Sequence, residues 1–365
     1  MKRQVTRAAT FVLLVAATAA YGHHSFQATF KSDETISVEG VVTDYRFKNP
    51  HVLLYVDVMN DDGSVTNWMS EGGSATSLRR RGWARDTLSN GQLVRITGNS
   101  THDGSPMVSI ETIEIIDASS NKVVATLGNP PGPGRPGAAP PGGRGAAPRE
   151  PAQFTALKLD DGRVNLTGAW VQLRGGPRSG PPESLDGIPP FSEAGEAAQA
   201  AYNRADDPQV FCEPPGLVRQ AGFTPHPLKI TQNDDHVIIE YEEYGGRRVV
   251  HLGDELASES EKSHLGDSVA RYEGDALIIE TRNLLANPSH PWGYQFSDQT
   301  TVVEVYTRAD SRELGSIVHT ETTVTDPVNL REPWVLRRDK TFSDGYEFIE
   351  NECRPPLRKR NVSTG

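Results

Sequence analysis

Residues 36–70, ISVEGVVTDYRFKNPHVLLYVDVMNDDGSVTNWMS, contain three predicted β-strands and decide the class of the fold. Residues 36–47 form the first predicted strand, with Val38, Gly40 and Val42 on one side, residues 51–59 are rich in Val, Leu and Tyr, and residues 65–70 form the third. Alternation with a period of two is typical of strands that bury one face. The turn sequence Asp61-Asp62-Gly63 predicts a hairpin between the second and third strands.

The residues that follow these strands complete a small predicted barrel. Ser74 is a predicted N-cap for a helix over residues 75–83. Two further Asx-Gly turns introduce predicted strands over residues 92–98 and 107–116. Three strands, one helix and two strands follow the order of an OB-fold, so we expect an OB-fold-like five-stranded barrel over residues 23–126.

A linker is predicted over residues 127–161. Most of it, residues 129–151, consists almost entirely of Gly, Pro, Ala and Arg. Such a composition cannot bury apolar surface or sustain a helix or a strand ladder. The chain is therefore predicted to have two domains.

The second predicted domain, residues 162–357, is also mainly β, and a disordered tail over residues 358–365 follows it. Alternating stretches recur at hairpin spacing, with one helix predicted over residues 192–204. Successive hairpins favour a sheet that closes on itself. Gly168-Ala169-Trp170 is similar to the first strand of lipocalin-type barrels, so we expect a calycin-like or another antiparallel β-barrel.

An export signal is predicted over residues 1–22. A basic front precedes a short apolar run, residues 11–17, and small residues follow at the expected cleavage position. The apolar run is too short for a spanning helix. Cleavage after Gly22, or alternatively after Ala20, predicts a periplasmic or secreted protein.

The composition limits the kinds of partner that the protein is expected to bind. The formal net charge is −11, which disfavours nucleic acid, and a second long apolar run is absent, so no membrane span is expected. The two cysteines, Cys212 and Cys353, favour a disulfide in an oxidising compartment, with two separate buried thiols as the alternative. A small-molecule ligand fits these limits, and no protein partner is indicated.

Several short motifs carry a family resemblance. In the first domain they are HHSF (residues 23–26), NPHV (49–52), EGG (71–73) and LRRRGW (78–83), and in the second CEPPG (212–216), GDSVARYEGD (266–275) and FSD (296–298). The first set resembles an exported bacterial family of unknown function, and the second resembles a β-rich domain often fused to it. The resemblance implies export, a bacterial envelope location and the division into two domains. It implies no activity.

The predicted mature N-terminus offers ligands that suit copper. A terminal His23 offers an amine and an imidazole nitrogen, and a second imidazole would complete a three-nitrogen set that Cu(II) prefers. His51, at the start of the second predicted strand, is the best third ligand, with His24 and His102 as alternatives. A frayed, solvated N-terminal tail is the competing interpretation.

A second candidate site is the face of the first barrel. Trp68, Arg79 and Trp83 can stack on an aromatic ligand or hold an anionic one. The competing interpretation is that Trp83 packs a helix onto the barrel and that the arginines cover a solvated helix face.

Catalysis is the third candidate, and it would use the second domain. His319 and Glu321 share one face of a predicted strand, with Tyr346 and Glu347 on a neighbouring strand, and His264 and His290 lie in loops. A His–carboxylate pair in a cleft can act in general acid–base chemistry. The competing interpretation is a solvated sheet face, and the sequence contains no standard catalytic motif.

The function expected from the sequence is non-catalytic binding of a small ligand, with copper at the N-terminus as a secondary element. The alternatives are an enzyme that uses the residues of the second domain and a structural adaptor that binds another protein. An apolar-lined cavity favours the binding protein, and a buried His–carboxylate pair with shifted pKa values favours the enzyme. A flat, exposed apolar patch favours the adaptor.

Overall fold

The structure is a computed structural model. It describes residues 29–128, 151–173, 186–202, 212–222, 226–256, 261–288 and 293–352. The predicted export signal, including His23 and His24, lies outside the described residues, as do most of the Gly/Pro-rich segment and the predicted tail. None of the helices in the described part of the chain has the length and hydrophobicity needed to cross a membrane.

The first barrel is built from the strands that precede the linker. These strands are β1 (Phe30–Arg46), β2 (Leu53–Met59), β3 (Val65–Glu71), β4 (Leu93–Thr101), β5 (Met107–Ser109), β6 (Thr112–Asp117) and β7 (Lys122–Gly128). Five of them form a closed barrel in the order β1-β2-β3-β5-β4, because β4 also pairs with β1. The contact between β3 and β5 is parallel, and the others are antiparallel. The predicted OB-fold-like five-stranded barrel is confirmed.

Strands β6 and β7 extend this sheet beyond the barrel. The sequence predicted one strand over residues 107–116, but the chain breaks it between Ser109 and Thr112. The break lets β5 join β3, while β6 pairs with β4. Gly98 permits the crossing, because a Cβ atom there would lie 1.6 Å from the carbonyl oxygen of Ser109.

A short helix, α1 (Ala75–Arg79), closes one end of the first barrel. The Ser74 hydroxyl accepts a hydrogen bond from the Ser77 N–H and caps the helix as predicted. The helix ends earlier than predicted, since a turn brings the Trp83 N–H to the Leu78 carbonyl at 3.1 Å. Trp83 and Leu78 therefore both enter the core of the first barrel.

The second barrel is larger. Its part of the chain contains β8 (Gly168–Gln172), β9 (Leu228–Gln232), β10 (His236–Tyr241), β11 (Arg247–Leu252), β12 (Asp267–Glu273), β13 (Ala276–Arg282), β14 (Asn287–Pro288), β15 (Gln295–Phe296), β16 (Thr301–Ser311), β17 (Gly315–Thr325) and β18 (Trp334–Phe342), with helices α2 (Glu193–Ala200) and α3 (Leu217–Gly222). Nine of these strands close in the order β10-β11-β12-β13-β16-β17-β18-β8-β9. The pairings are antiparallel except between β11 and β12. The predicted β-barrel is confirmed, whereas α3 was not predicted.

The Gly-x-Trp sequence of β8 is a packing feature of this barrel. Trp170 is fully buried, and its indole N–H donates to the Leu166 carbonyl at 2.7 Å. The Arg308 guanidinium stacks over the indole at 4.7 Å and donates to the Asn165 carbonyl. Gly168 has φ +129°, and a Cβ atom there would lie 2.5 Å from the ring of Phe342.

Side chains occupy the interior of the second barrel. Apolar residues form one buried cluster around Trp170 and another beside α3. Arg248 and Glu304 form a buried ion pair at 2.7 Å, with Tyr241 and Tyr306 as hydrogen-bond partners. The hydrogen bonds offset part of the cost of removing both charges from water.

The last described segment, residues 343–352, connects the two barrels, and we call it the strap. The sequence predicted a strand over residues 346–352, but the segment is irregular and makes a single isolated bridge, between Asn351 and Asn49. Ile349 is 2 % exposed and belongs to the core of the first barrel. Lys48, in the first barrel, pairs with Glu352 at 2.9 Å.

Candidate functional site

A partly open cavity of about 180 Å³ lies where the two barrels meet. We call it the inter-barrel cavity. Residues from the first barrel, from the second barrel and from the strap line it together: Asn49, Pro50, His51, His226, Glu243, Tyr244 and Asn351. Neither barrel alone could form its walls.

The connection between β1 and β2 forms one wall of the cavity. The Asn49 N–H donates to the Glu350 carbonyl at 2.9 Å, and the Asn49 carbonyl accepts from the Glu352 N–H at 2.7 Å. The Asn49 side-chain amide donates to the Thr76 hydroxyl at 3.0 Å. Asn49 is thereby fixed to both α1 and the strap.

The connection between β10 and β11 forms the opposite wall. Its sequence, Glu242-Glu243-Tyr244-Gly245-Gly246, contains a 3-10 turn, and Tyr244 has φ +54° and ψ +15°. A tyrosine pays a steric cost for this left-handed conformation. Such strained residues cluster at functional sites in proteins, so the position of Tyr244 beside the cavity marks the region as a candidate site.

Glu242 lies behind this wall and ties the two barrels together. Its carboxylate accepts hydrogen bonds from the Thr76 hydroxyl, from the Tyr346 hydroxyl at 2.9 Å and from the Ile349 N–H at 2.9 Å. The side chain is completely buried, and the imidazole of His226 lies 3.7 Å away. A single carboxylate therefore joins α1, the second barrel and the strap.

The charge of Glu242 is stabilised by these contacts. Burial would raise the pKa of the carboxyl, but the contacts with His226, Thr76 and the strap outweigh burial and lower the pKa below 4.5. Glu242 is thus an anion across the neutral pH range. The strand ends at Tyr241, and the carboxylate of Glu242 points into the interface.

Lys340, on β18, is a second buried charged residue beside the cavity. Its amine donates to the carbonyl of His226 at 2.9 Å and is 7 % exposed. Burial, together with the nearby charges of Arg80 and Arg338, lowers the pKa of Lys340 to about 7. The lysine is therefore only partly protonated at neutral pH.

The titration of Lys340 predicts how stability depends on pH. The folded state releases the proton near pH 7, whereas the unfolded chain holds it to about pH 10, so the free energy of unfolding should rise with pH between these values, by up to about 1.4 kcal/mol per unit. In Lys340→Met this slope should largely disappear between pH 7 and pH 9, as measured by urea unfolding. Lys122→Met, which changes an exposed lysine, should keep the wild-type slope. Equal slopes in wild type and Lys340→Met would refute the assignment.

His51 is held in a defined orientation at the rim of the cavity. Its Nδ1 lies 3.0 Å from the Gly72 carbonyl, so Nδ1 carries the proton in this contact and Nε2 is left as the nitrogen with a lone pair. The Glu71 carboxylate lies 3.3 Å from the same Nδ1, and the side chain is about half exposed. This is the arrangement that a metal-binding imidazole needs.

The other predicted metal ligands do not join His51 in the described structure. His23 and His24 lie outside the described residues, and His102 is exposed just after β4. Among the residues that the structure describes, no three His, Cys, Asp or Glu side chains are grouped closely enough to hold a metal ion. The predicted copper site stays a prediction.

The residues predicted to bind a ligand on the first barrel serve packing roles. Trp83 is buried in the core of the first barrel, and Trp68, on β3, packs against this core. Arg79 donates to the Glu347 carbonyl at 3.1 Å and stacks over the Tyr346 ring at 5.1 Å. The structure therefore does not bring Trp68, Arg79 and Trp83 together as one surface, and Arg79 contacts the strap.

Of the residues predicted for catalysis, His319 and Glu321 both lie on β17, but their side chains have different partners. His319 lies 2.7 Å from Asp339 across β17 and β18, whereas Glu321 pairs with Arg337 at 2.8 Å. His264 accepts from the Leu217 N–H through its carbonyl and adjoins α3. His290 lies outside the described residues, as does Cys353, the predicted disulfide partner of Cys212.

Several residues that line the inter-barrel cavity were not identified from the sequence. His226, Glu243, Tyr244 and Asn351 were not among the candidate site residues. Two signals could have directed attention to them. One is the pair of adjacent acidic residues before an aromatic residue and two glycines, and the other is the asparagine of the NPHV motif.

Comparisons with known proteins identify only a part of the chain. No curated protein and no solved structure matches it. Residues 11–108, which contain most of the first barrel, match the model of a family of unknown function, DUF6152. This segment includes Asn49, Pro50 and His51, which line the cavity, together with Thr76, which binds Glu242.

Proposed function

We propose that this protein is an exported, non-catalytic binding protein that holds one small polar molecule in the inter-barrel cavity. The observation that carries the proposal is that seven residues from both barrels and the strap line one cavity. An engineered cavity of about 150 Å³ binds benzene in another protein, so a volume of about 180 Å³ suits a ligand of similar size.

The rigidity of the walls supports binding. Asn49 is fixed by three hydrogen bonds, and Glu242 fixes the opposite wall to the strap. A preformed site costs a ligand little reorganisation energy. Polar and apolar atoms contribute about equally to the lining, so a ligand would be recognised by hydrogen bonds as well as by apolar contacts.

An enzyme that uses His226 and Glu242 is the alternative. These residues form a buried His–carboxylate pair beside the cavity, which is the feature expected of an enzyme. We favour binding because Glu242 already accepts three hydrogen bonds that hold the fold together. A general base needs a free lone pair for the proton that it removes.

The location and the N-terminal copper site belong to the same proposal. The predicted signal supports export into an oxidising compartment, where Cys212 and Cys353 would form a disulfide. The orientation of His51, with Nδ1 bound to Gly72, supports copper binding together with a terminal His23. Copper would be a secondary element beside the cavity.

Native mass spectrometry of the protein from its own host tests these points together. We expect a chain that begins at His23 or Tyr21, contains one disulfide and carries a small organic molecule. Any copper should be lost in the His23→Ala, His51→Ala double variant. A full-length, reduced, intracellular product would refute export. A mature protein without a passenger, which also binds no member of a small-molecule library, would refute the binding function.

A further inference from the structure

Two histidines lie directly opposite each other on the outer face of the second barrel. His236, at the start of β10, is the register partner of His251, near the end of β11. The Leu252 N–H donates to the Asp235 carbonyl at 2.8 Å, so these two residues form a hydrogen-bonded pair of the antiparallel ladder. The next pair along the ladder, His236 and His251, is therefore a non-hydrogen-bonded pair, in which side chains approach most closely.

The two imidazoles are close enough to share one metal ion. Their ring centroids are 6.3 Å apart. Metal–nitrogen bonds of about 2.0–2.1 Å place the centroids of two ligating rings about 5–6 Å apart, so a small rotation of the side chains suffices. His251 is exposed, and the side chain of His236 is 27 % exposed, so an ion can reach both from solvent.

The contacts of His236 favour a tautomer that suits a metal ion. Its Nδ1 lies 2.6 Å from the Asp235 carboxylate, and its Nε2 lies 3.0 Å from the side-chain amide of Asn233. Because a carboxylate only accepts hydrogen bonds, Nδ1 of the neutral imidazole carries the proton and Nε2 has the lone pair. A carboxylate on the other ring nitrogen also orients metal-binding histidines and raises their basicity. The Asn233 amide is a neutral donor, which a metal ion would displace.

The charges around this hairpin favour a cation. The side chain of Asp235 is 82 % exposed, and its hydrogen bond with His236 lowers the pKa of the carboxyl below its usual value. The carboxylate is therefore charged at neutral pH. Asp234, the preceding residue, and Asp161 lie 3.8 and 2.6 Å from the guanidinium of Arg163. In this network three carboxylates outnumber one guanidinium, so the local charge attracts a metal ion.

We propose that His236 and His251 bind a divalent transition-metal ion, Cu(II) most tightly, on the outer face of the second barrel. Imidazole nitrogens suit Cu(II), Ni(II) and Zn(II), and Cu(II) leads the affinity order of these ions. Two protein ligands are fewer than a closed structural site has, so water completes the coordination and the ion exchanges with solvent. The pair lies at the opposite end of β10 from Glu242 and uses none of the histidines predicted at the N-terminus, so the site is separate from the proposed function.

Isothermal titration calorimetry with copper(II) chloride tests this site on the full mature protein. A background variant that carries His23→Ala, His24→Ala and His51→Ala removes the imidazoles of the predicted N-terminal site. In this background, His251→Gln should weaken Cu(II) binding by at least about tenfold, since even the hydrogen-bond partner of a metal ligand contributes that much. Magnesium chloride should give no binding at the pair, because Mg²⁺ prefers oxygen ligands.

A third histidine on the sheet provides the matched control. His319 also lies 2.7 Å from a carboxylate, that of Asp339, but its register partners are Asp339 and Thr307, which carry no imidazole. His319→Gln should therefore bind Cu(II) as tightly as the background does. Thermal unfolding establishes that each variant is folded. Cu(II) binding that His251→Gln leaves unchanged, or that His319→Gln weakens equally, would overturn the proposal and leave the binding function of the inter-barrel cavity untouched.

Discussion

Replacing Glu242 with alanine should lower the free energy of unfolding by about 3–5 kcal/mol, the range for removing one partner from a buried charged network. The substitution leaves the Thr76 hydroxyl, the Tyr346 hydroxyl and the Ile349 N–H without their acceptor. It also removes a side chain that links α1, the second barrel and the strap. Urea unfolding monitored by tryptophan fluorescence measures the loss of stability.

Two further variants separate the role of the charge from the role of position. Glu242→Gln keeps the shape but turns an acceptor oxygen into a donor amide, so it should also destabilise the protein. Glu347→Ala removes an exposed carboxylate from the same strap and should change stability by less than about 0.5 kcal/mol. A loss of stability no larger for Glu242→Ala than for Glu347→Ala would contradict the role assigned to Glu242.

The second large effect is expected at Ile349. Ile349→Ala should destabilise the first barrel by about 2–5 kcal/mol, because the side chain is 2 % exposed and fills the core of that barrel from the strap. The effect should appear in the first barrel, although the residue is more than 200 positions away in sequence. Hydrogen exchange of the amides in β1 and β2 measures where protection is lost.

The same chemical change at an exposed site is the control. Ile188 is 68 % exposed, so Ile188→Ala should leave both the stability and the exchange pattern close to wild type. Faster exchange confined to the second barrel in Ile349→Ala would show that Ile349 does not complete the core of the first barrel.

Local signals in the sequence were sufficient to predict the two barrels. The alternation of residues 36–47 and the Asx-Gly turns predicted strands that the structure contains, because both are properties of neighbouring residues. The break between β5 and β6 could not be predicted in this way. It depends on the close approach of Gly98 to Ser109, which is a contact between strands.

Most of the candidate site could not be predicted from the sequence. His51 was identified from a motif, but the roles of Glu242 and Asn351 depend on the docking of the strap, which no local pattern encodes. Glu242 follows the end of β10, so the alternation of that strand does not predict its burial against Thr76. The pKa of Lys340 is lowered first by burial and then by the charge of Arg80, which comes from the other barrel, and neither is visible in the sequence around Lys340.

The strap imposes an order on folding. Ile349 lies about 300 residues after β1 in the chain, yet it completes the core of the first barrel. Contacts between residues this far apart in sequence form slowly, because the chain must first close a long loop. Until the strap docks, the folding first barrel exposes apolar surface that a chaperone could recognise.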